Sequence, residues 1–194
     1  MSIRAGDKVT AMDAHVLVPL KALDRAKSRL ADALSPGERA ELMRSLLERV
    51  VAAVREAGVE RITIVTGEEL DGYEVWDDRG LAWNDALAAA MDEVVAAPLI
   101  AVISADLPLL RAEEVEELLE ATPLSGIAIA RALDGGTNAV SMRPPGLVRT
   151  RFGEPGSAAV HAGLGVEHVV LDLPGLAFDV DTPEDLARMQ AACL

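Results

Sequence analysis

Cysteine is almost absent from this chain: Cys193 is the only one in 194 residues. One thiol excludes an intramolecular disulfide and a cysteine-based zinc cluster, and fits a reducing cytosol. Long apolar runs are missing too. None approaches the ~18 residues of a membrane span, and the first fourteen residues are polar and mixed, without an apolar signal core. Aromatics make up only 3%, although half the chain is apolar. The core therefore has to be built from Ala, Val and Leu, which suits helices packed closely on a sheet. Positive charge is scarce as well. A net charge of −14 argues against a general nucleic-acid or anionic-membrane binder, because both need a positive field.

Against that deficit one segment stands out. In "HVLVPLKALDRAKSRLA" (15–31) an apolar strand empties into Lys21, Arg25, Lys27 and Arg29, with Asp24 as the only acid among residues 20–30. Strand-to-helix turns that hold phosphates usually rely on glycines and backbone N–H groups. This one has no glycine.

Downstream the periodicity alternates between strand and helix. Residues 34–58 read as a helix with Ser35 as N-cap, Pro36 at N1, Glu38 closing a capping box and Gly58 as the stop. Residues 59–67 and 98–110 predict buried strands, the latter running into a loop. Helices are expected at 81–97 and 111–121, strands at 125–131 and 138–143, an apolar "EHVVLDL", and a closing helix from Pro183. The alternation predicts an α/β fold: one domain, with an open, mostly parallel sheet covered by helices on both faces. Ligands of such sheets gather outside the carboxyl ends of the strands.

Four post-strand loops carry candidate chemistry. The basic segment is either a solvated turn or a cradle for a polyanion through Lys21, Lys27 and Arg29. In "ISADLPLL" Asp106 follows a strand and either closes a turn before Pro108 or ligates a divalent metal. "DGGTNAVSM" puts Gly136, Thr137 and Asn138 at a hairpin turn or against a ligand. "RFGEPGSAAVH" brings Gly153, Gly156 and Ser157 to a helix entry, suited to a cap or an anion. In "FDVDTPEDL" Thr182 caps, Pro183 is N1, and Glu184 and Asp185 favour the helix dipole. Asp179 and Asp181 are not needed for that; alternation points both to one side, as a paired-carboxylate metal site would require. "DVDT" also matches the start of an aspartyl-phosphate phosphatase motif, but that motif belongs on a first strand, and only twelve residues follow it here.

Taken in order and spacing, "VPLKALDRAKSRLA", "SADLPLL", "GGTNAV", "FGEPGS" and "DVDTPEDL" closely resemble the 2-phospholactate/phosphoenolpyruvate guanylyltransferase family of coenzyme F-420 biosynthesis. The resemblance spans about residues 15–188. It implies a nucleotidyltransferase-type (GT-A-like) α/β sheet and a magnesium-dependent reaction. A phosphate oxygen of a three-carbon phospho-acid attacks the α-phosphorus of GTP, and pyrophosphate leaves. By this resemblance Lys21, Lys27 and Arg29 neutralise the triphosphate, with Lys27, Arg29 and Asp106 as catalytic groups. Mg²⁺ is held by Asp106 and by Asp179, Asp181 or both. The nucleoside lies near Leu20, Thr66 and Gly67, with Asn84 in reach. Gly136, Thr137, Asn138, Gly153, Gly156 and Ser157 hold the phospho-acid. His15, His161 and His168 need no catalytic role, since the nucleophile is already an anion. Two departures stand out: "FGEPGS" has one residue more between its glycines than the family's F-G-x-G-S, and Trp83 stands where a glycine-rich helix entry is expected.

The resemblance leaves the acceptor open between phosphoenolpyruvate and 2-phospho-L-lactate. The alternatives are a relative using 3-phosphoglycerate, a sugar phosphate or a molybdopterin, and a non-catalytic nucleotide-binding regulator on the same fold. The expected partners are GTP and the small phospho-acid, with room for a homodimer and for a downstream transferase that takes a labile product.

Overall fold

A central sheet of seven strands runs in the order β3-β2-β1-β4-β6-β5-β7. The computed structural model describes residues 13–23, 26–93 and 97–192; Arg25 and Cys193 lie outside them. The strands are β1 (Ala14–Pro19), β2 (Arg61–Val65), β3 (Glu74–Trp76), β4 (Leu99–Ile103), β5 (Gly126–Arg131), β6 (Thr137–Met142) and β7 (Glu167–Leu171). The helices are α1 (Pro36–Glu56), α2 (Trp83–Glu93), α3 (Ala112–Glu120), α4 (Ser157–Ala162), α5 (Pro174–Ala177) and α6 (Pro183–Ala192). All pairings are parallel except those of β6, which is antiparallel to both β4 and β5. Short strand β3 and helix α5, at three and four residues, are too brief for periodicity to reveal.

Strand β1 shows why both sheet faces are covered. Val16 and Val18 join the core under α1, α3 and α5, while Leu17 points into the opposite core under α2 and α4. Helix α1 buries Leu46, Leu47, Val50, Val51 and Val54, one stripe at helical spacing. Its start follows the expected capping box: Ser35 Oγ accepts the Glu38 N–H, and Glu38 accepts the Ser35 N–H. Gly58, at φ 83°, ends it. Helix α6 opens as expected, with Thr182 Oγ1 accepting the Asp185 N–H at 3.2 Å. No helix among the described residues is long and apolar enough to cross a membrane.

The topology decides where a site can form. From β1 the chain moves outward to β2 and β3, then returns to place β4 on the other side of β1. The carboxyl ends of β1 and β4 therefore flank the point where the strand order reverses, and a crevice opens there.

Candidate functional site

The loop after β1 is pinned by its apolar residues. Leu20, Leu23, Ala26 and Leu30 are buried. The Leu20 N–H reaches Val65 O at 3.0 Å, and the Leu23 N–H reaches Glu68 Oε1 at 2.9 Å. Lys27 precedes a short 3-10 turn in the left-handed region, at φ 52°, which a side chain adopts only where the surroundings hold it there. The Leu30 N–H bonds its carbonyl at 2.9 Å. Its ammonium, 5% exposed, meets Asp106 Oδ2 at 2.5 Å and Asp181 Oδ1 at 2.9 Å. Burial alone would lower the Lys27 pKa, but the two carboxylates outweigh it and raise it. Arg29 lies farther out and touches Asp181 Oδ2 at 3.4 Å.

Two other strand ends bring the acids to this lysine. Asp106 sits in the turn beyond β4, where the Ser104 N–H donates to Asn138 O. Residues 178–181 form an extended segment and not a regular strand, tied by the Val180 N–H to Asp106 O at 3.3 Å. The expected alternation holds in this segment: Phe178 and Val180 enter the core, and Asp179 and Asp181 turn the other way. Asp106, Asp179 and Asp181 each offer a carboxylate oxygen, all within 4.8 Å of one another. Burial, then the Asp106 charge, push Asp179 up to about 6, against the Asn138 amide that donates to it at 3.2 Å. Lys27 thus bridges two carboxylates and leaves the third under-compensated. Hard oxygen donors short of positive charge fit a small divalent cation.

Two cavities flank the cluster. One, of about 220 Å³, is lined by Lys21, Lys27, Ser28, Arg29 and Asp181, all but Ser28 charged. A larger one, of about 560 Å³, lies outside β1 and β2, with Leu20, Lys21, Gly67, Glu68, Asp78 and Trp83 in its walls. Lys21 belongs to both, its ammonium 4.2 Å from the centre of the Trp83 ring. Burial lowers the Lys21 pKa despite the attraction of Asp181 and Asp106.

Several expected residues have a structural task. Thr66 is fully buried. Its hydroxyl accepts the Glu68 N–H, so at this position the chain supports the cavity from beneath. Asn84 ties its amide to the loop before α4: Nδ2 donates to Phe152 O, and Oδ1 accepts from the Phe152 N–H and the Thr150 hydroxyl. These bonds fill both acceptor positions of Oδ1 and use one of the two Nδ2 hydrogens, so one amide N–H of Asn84 is left for the expected nucleoside contact. Thr137 and Ser157 are buried and joined, the Ser157 hydroxyl donating to Thr137 Oγ1 at 3.0 Å. Gly136 lies in the β5–β6 turn, its N–H held by Asp134 Oδ1. Gly153 and Gly156 have φ of 78° and 65°, so "FGEPGS" accommodates its extra residue with two left-handed turns.

Three residues near the site were not expected from the pattern. Trp83, noted only as a departure, is a cavity wall. His161 bonds Thr137 Oγ1 through Nδ1 and accepts the Arg151 N–H at Nε2, holding the loop against α4. Asp78 belongs to none of the recognised motifs, and it lines the larger cavity.

With this geometry in place, comparisons identify the relatives. The family model described as "Guanylyl transferase CofC like" matches residues 14–191. A phosphoenolpyruvate guanylyltransferase of Rubrobacter xylanophilus is 39% identical, covering 93% of this chain and 95% of that one. A 2-phospho-L-lactate guanylyltransferase of Haloarcula marismortui is 38% identical over 84% of this chain and 79% of its own. Among solved structures, the 2-C-methyl-D-erythritol 4-phosphate cytidylyltransferase of Thermus thermophilus shares the fold, with a TM-score of 0.58 at 18% identity, covering 92% of this chain and 97% of that one. A nucleotidyl transferase from Methanothermobacter aligns with a TM-score of 0.67 at 17% identity, over 92% and 96%. The chain belongs to the CofC-like guanylyl transferase family.

Proposed function

We propose that the protein is a guanylyltransferase that joins the GMP moiety of GTP to phosphoenolpyruvate, with release of pyrophosphate, as a step of coenzyme F-420 biosynthesis. The observation that carries this reading is the convergence of Asp106, Asp179, Asp181 and Lys27 at the strand-order reversal, beside a nucleoside-sized cavity. The three carboxylates would hold Mg²⁺, which supplies Lewis-acid charge at phosphate oxygens when bound.

The chain's own residues do the rest. Lys27, Lys21 and Arg29 face the anionic triphosphate and the departing pyrophosphate from one side of the crevice. The turns at 136–138 and 153–157 face the phospho-acid from the other. Asn138 connects the two sides through Asp179. Fixed charges aligned on two phosphate groups are the main requirement of phosphoryl transfer, and the anionic attacking oxygen needs no general base.

Phosphoenolpyruvate is put first because the Rubrobacter relative and one from Sphaerobacter thermophilus, 36% identical, carry that name. The Haloarcula relative supports 2-phospho-L-lactate as the second reading. The test is pyrophosphate release with GTP and Mg²⁺ against phosphoenolpyruvate, 2-phospho-L-lactate and 3-phosphoglycerate in parallel, with the product trapped. Release with phosphoenolpyruvate is expected. Release with 2-phospho-L-lactate alone replaces the acceptor, and nucleotide binding without release under any acceptor defeats the enzymatic reading.

A further inference from the structure

The larger cavity lies where the family likeness puts the nucleoside, but neither the motifs nor the likeness says which of its residues reads the base. Its inner surface is apolar, from Pro19, Leu20, Val65 and Ala86, and two carboxylates, Glu68 and Asp78, stand among the lining residues. The two acids are held differently. Glu68 accepts the Leu23 N–H with Oε1 and so ties the loop after β1 to the loop after β2. Asp78 is anchored through its backbone: its N–H donates to Thr66 O, and its carbonyl accepts the Leu81 N–H. Its Oδ1 accepts the Gly80 N–H at 2.8 Å, and Oδ2 accepts no bond among the described residues. The carboxylate is therefore fixed in direction with accepting capacity left over.

Position 67 keeps the space around it clear. A Cβ at Gly67 would lie 3.2 Å from Asp78 Oδ1, so any larger residue would press on this carboxylate. Trp83, in the wall of the same cavity, carries a donor beneath the surface. Trp83 Nε1 is a buried donor with no partner among the described residues. An indole N–H can only donate, and a carboxylate ionised at neutral pH can only accept.

Among the common bases a carboxylate with free accepting capacity is selective. Guanine offers two adjacent donors, N1–H and the 2-amino group, beside the acceptor O6. Adenine and cytosine put a bare ring nitrogen where guanine has N1–H, so a carboxylate there would face an acceptor. Uracil has the ring N–H without the amino group. We infer that Asp78 is the specificity-determining residue for the nucleobase, its carboxylate accepting from N1–H and the 2-amino group of guanine in the cavity it shares with Trp83 and Gly67. The inference rests on the guanylyl-transfer reading above and adds what selects the base. Lys21, common to both cavities, marks the path from base to triphosphate.

The test uses binding of GTP, ITP, XTP and ATP by calorimetry, with GTP-dependent pyrophosphate release measured alongside. ITP lacks the 2-amino group, so the wild-type protein should bind it roughly 10- to 100-fold more weakly than GTP, the loss of one hydrogen bond to a charged acceptor. Asp78→Asn keeps an oxygen for the Gly80 N–H, so the turn survives, as circular dichroism should verify. The new amide can accept from N1–H and donate to O2 of xanthine. In Asp78→Asn the GTP-over-ITP preference should collapse to within about three-fold, and XTP binding should rise roughly ten-fold or more over wild type. Glu68→Gln should weaken all the nucleotides together and keep their ratios. An intact GTP-over-ITP preference in Asp78→Asn, or its collapse in Glu68→Gln alone, overturns the assignment and leaves the guanylyl-transfer reading standing. A wild-type protein that binds GTP and ITP equally overturns it too. No binding of any nucleotide removes the guanylyl-transfer reading, and the assignment with it.

Discussion

Lys27 and Asp179 sit at opposite ends of one charge balance. The lysine bridges Asp106 and Asp181 and offsets one of their two charges, and the third carboxylate remains held against its neighbours. Replacing Asp106 by Asn should reduce turnover roughly a thousand-fold or more without unfolding the chain, since one of the three carboxylates that would hold the metal is lost. Steady-state rates and thermal melts of the same preparation test this. Lys27→Ala should cost about 2 kcal/mol in the absence of metal, below the ~3–5 of a fully buried pair because Asp181 is partly exposed. Added Mg²⁺ should then raise the melting temperature of Lys27→Ala more than that of wild type. Equal shifts would mean that the ammonium and the cation do not share these carboxylates. Asp179→Asn should do the reverse and stabilise the metal-free protein at pH 7.5, by up to about 3 kcal/mol. The sign follows from a native pKa raised from 3.8 to about 6: the stability linked to the bound proton is present below the unfolded value and lost as pH rises through about 6. The gain from Asp179→Asn should accordingly vanish near pH 4, as denaturant melts across pH would reveal.

At the scale of elements, the site is assembled by ties between segments far apart in the chain. The start of α2 holds the 150–152 loop through Asn84, and α4 holds the same loop through His161. Asn84→Ala removes three hydrogen bonds to that loop. It should raise KM for the phospho-acid about ten-fold while leaving KM for GTP within two-fold. The opposite pattern would instead support a direct nucleoside role for Asn84. The capping box of α1 lies outside both cavities, so Ser35→Ala should cost about 1 kcal/mol of stability with unchanged kinetics. Element positions were largely legible in the sequence, because the caps at Ser35 and Thr182 and the apolar stripes of α1 and β1 are local signals. The antiparallel entry of β6 was not. It depends on a five-residue turn bringing β6 back between β4 and β5, and nothing within the β6 residues themselves encodes a partner.

The whole molecule is a doubly covered sheet whose polar interior groups are mostly partnered, and this sets its response to acid. His15 accepts or donates at Thr63 Oγ1 between β1 and β2, and burial lowers its pKa below 6.5. Burial lowers that of His161 as well. Below pH 6.5 the unfolded chain takes up protons at both rings before the folded one does, so stability should fall as pH drops from 7 towards 5. Asp179 works in the opposite direction over part of that range. The acid loss should therefore be steeper in Asp179→Asn than in wild type, and a flat or rising profile in that variant would show the two rings to be solvated.

The sequence by itself determined the α/β alternation, the capped helices and the post-strand loops, since each follows from short-range spacing and side-chain chemistry. It also held the likeness to guanylyltransferases, in motifs that lie at strand ends where backbone geometry is local. Only the tertiary structure decided which loops meet. Lys27, Asp106 and Asp181 are separated by 79 and 154 positions from the lysine and come within hydrogen-bond reach because β1 and β4 are neighbours and residues 178–181 return beside them. The same long-range packing turned Thr66 and Asn84 to support and brought Asp78 and Trp83 into one cavity, because which groups of a chain share a crevice is set by the order of strands in the sheet, and that order depends on contacts between distant segments.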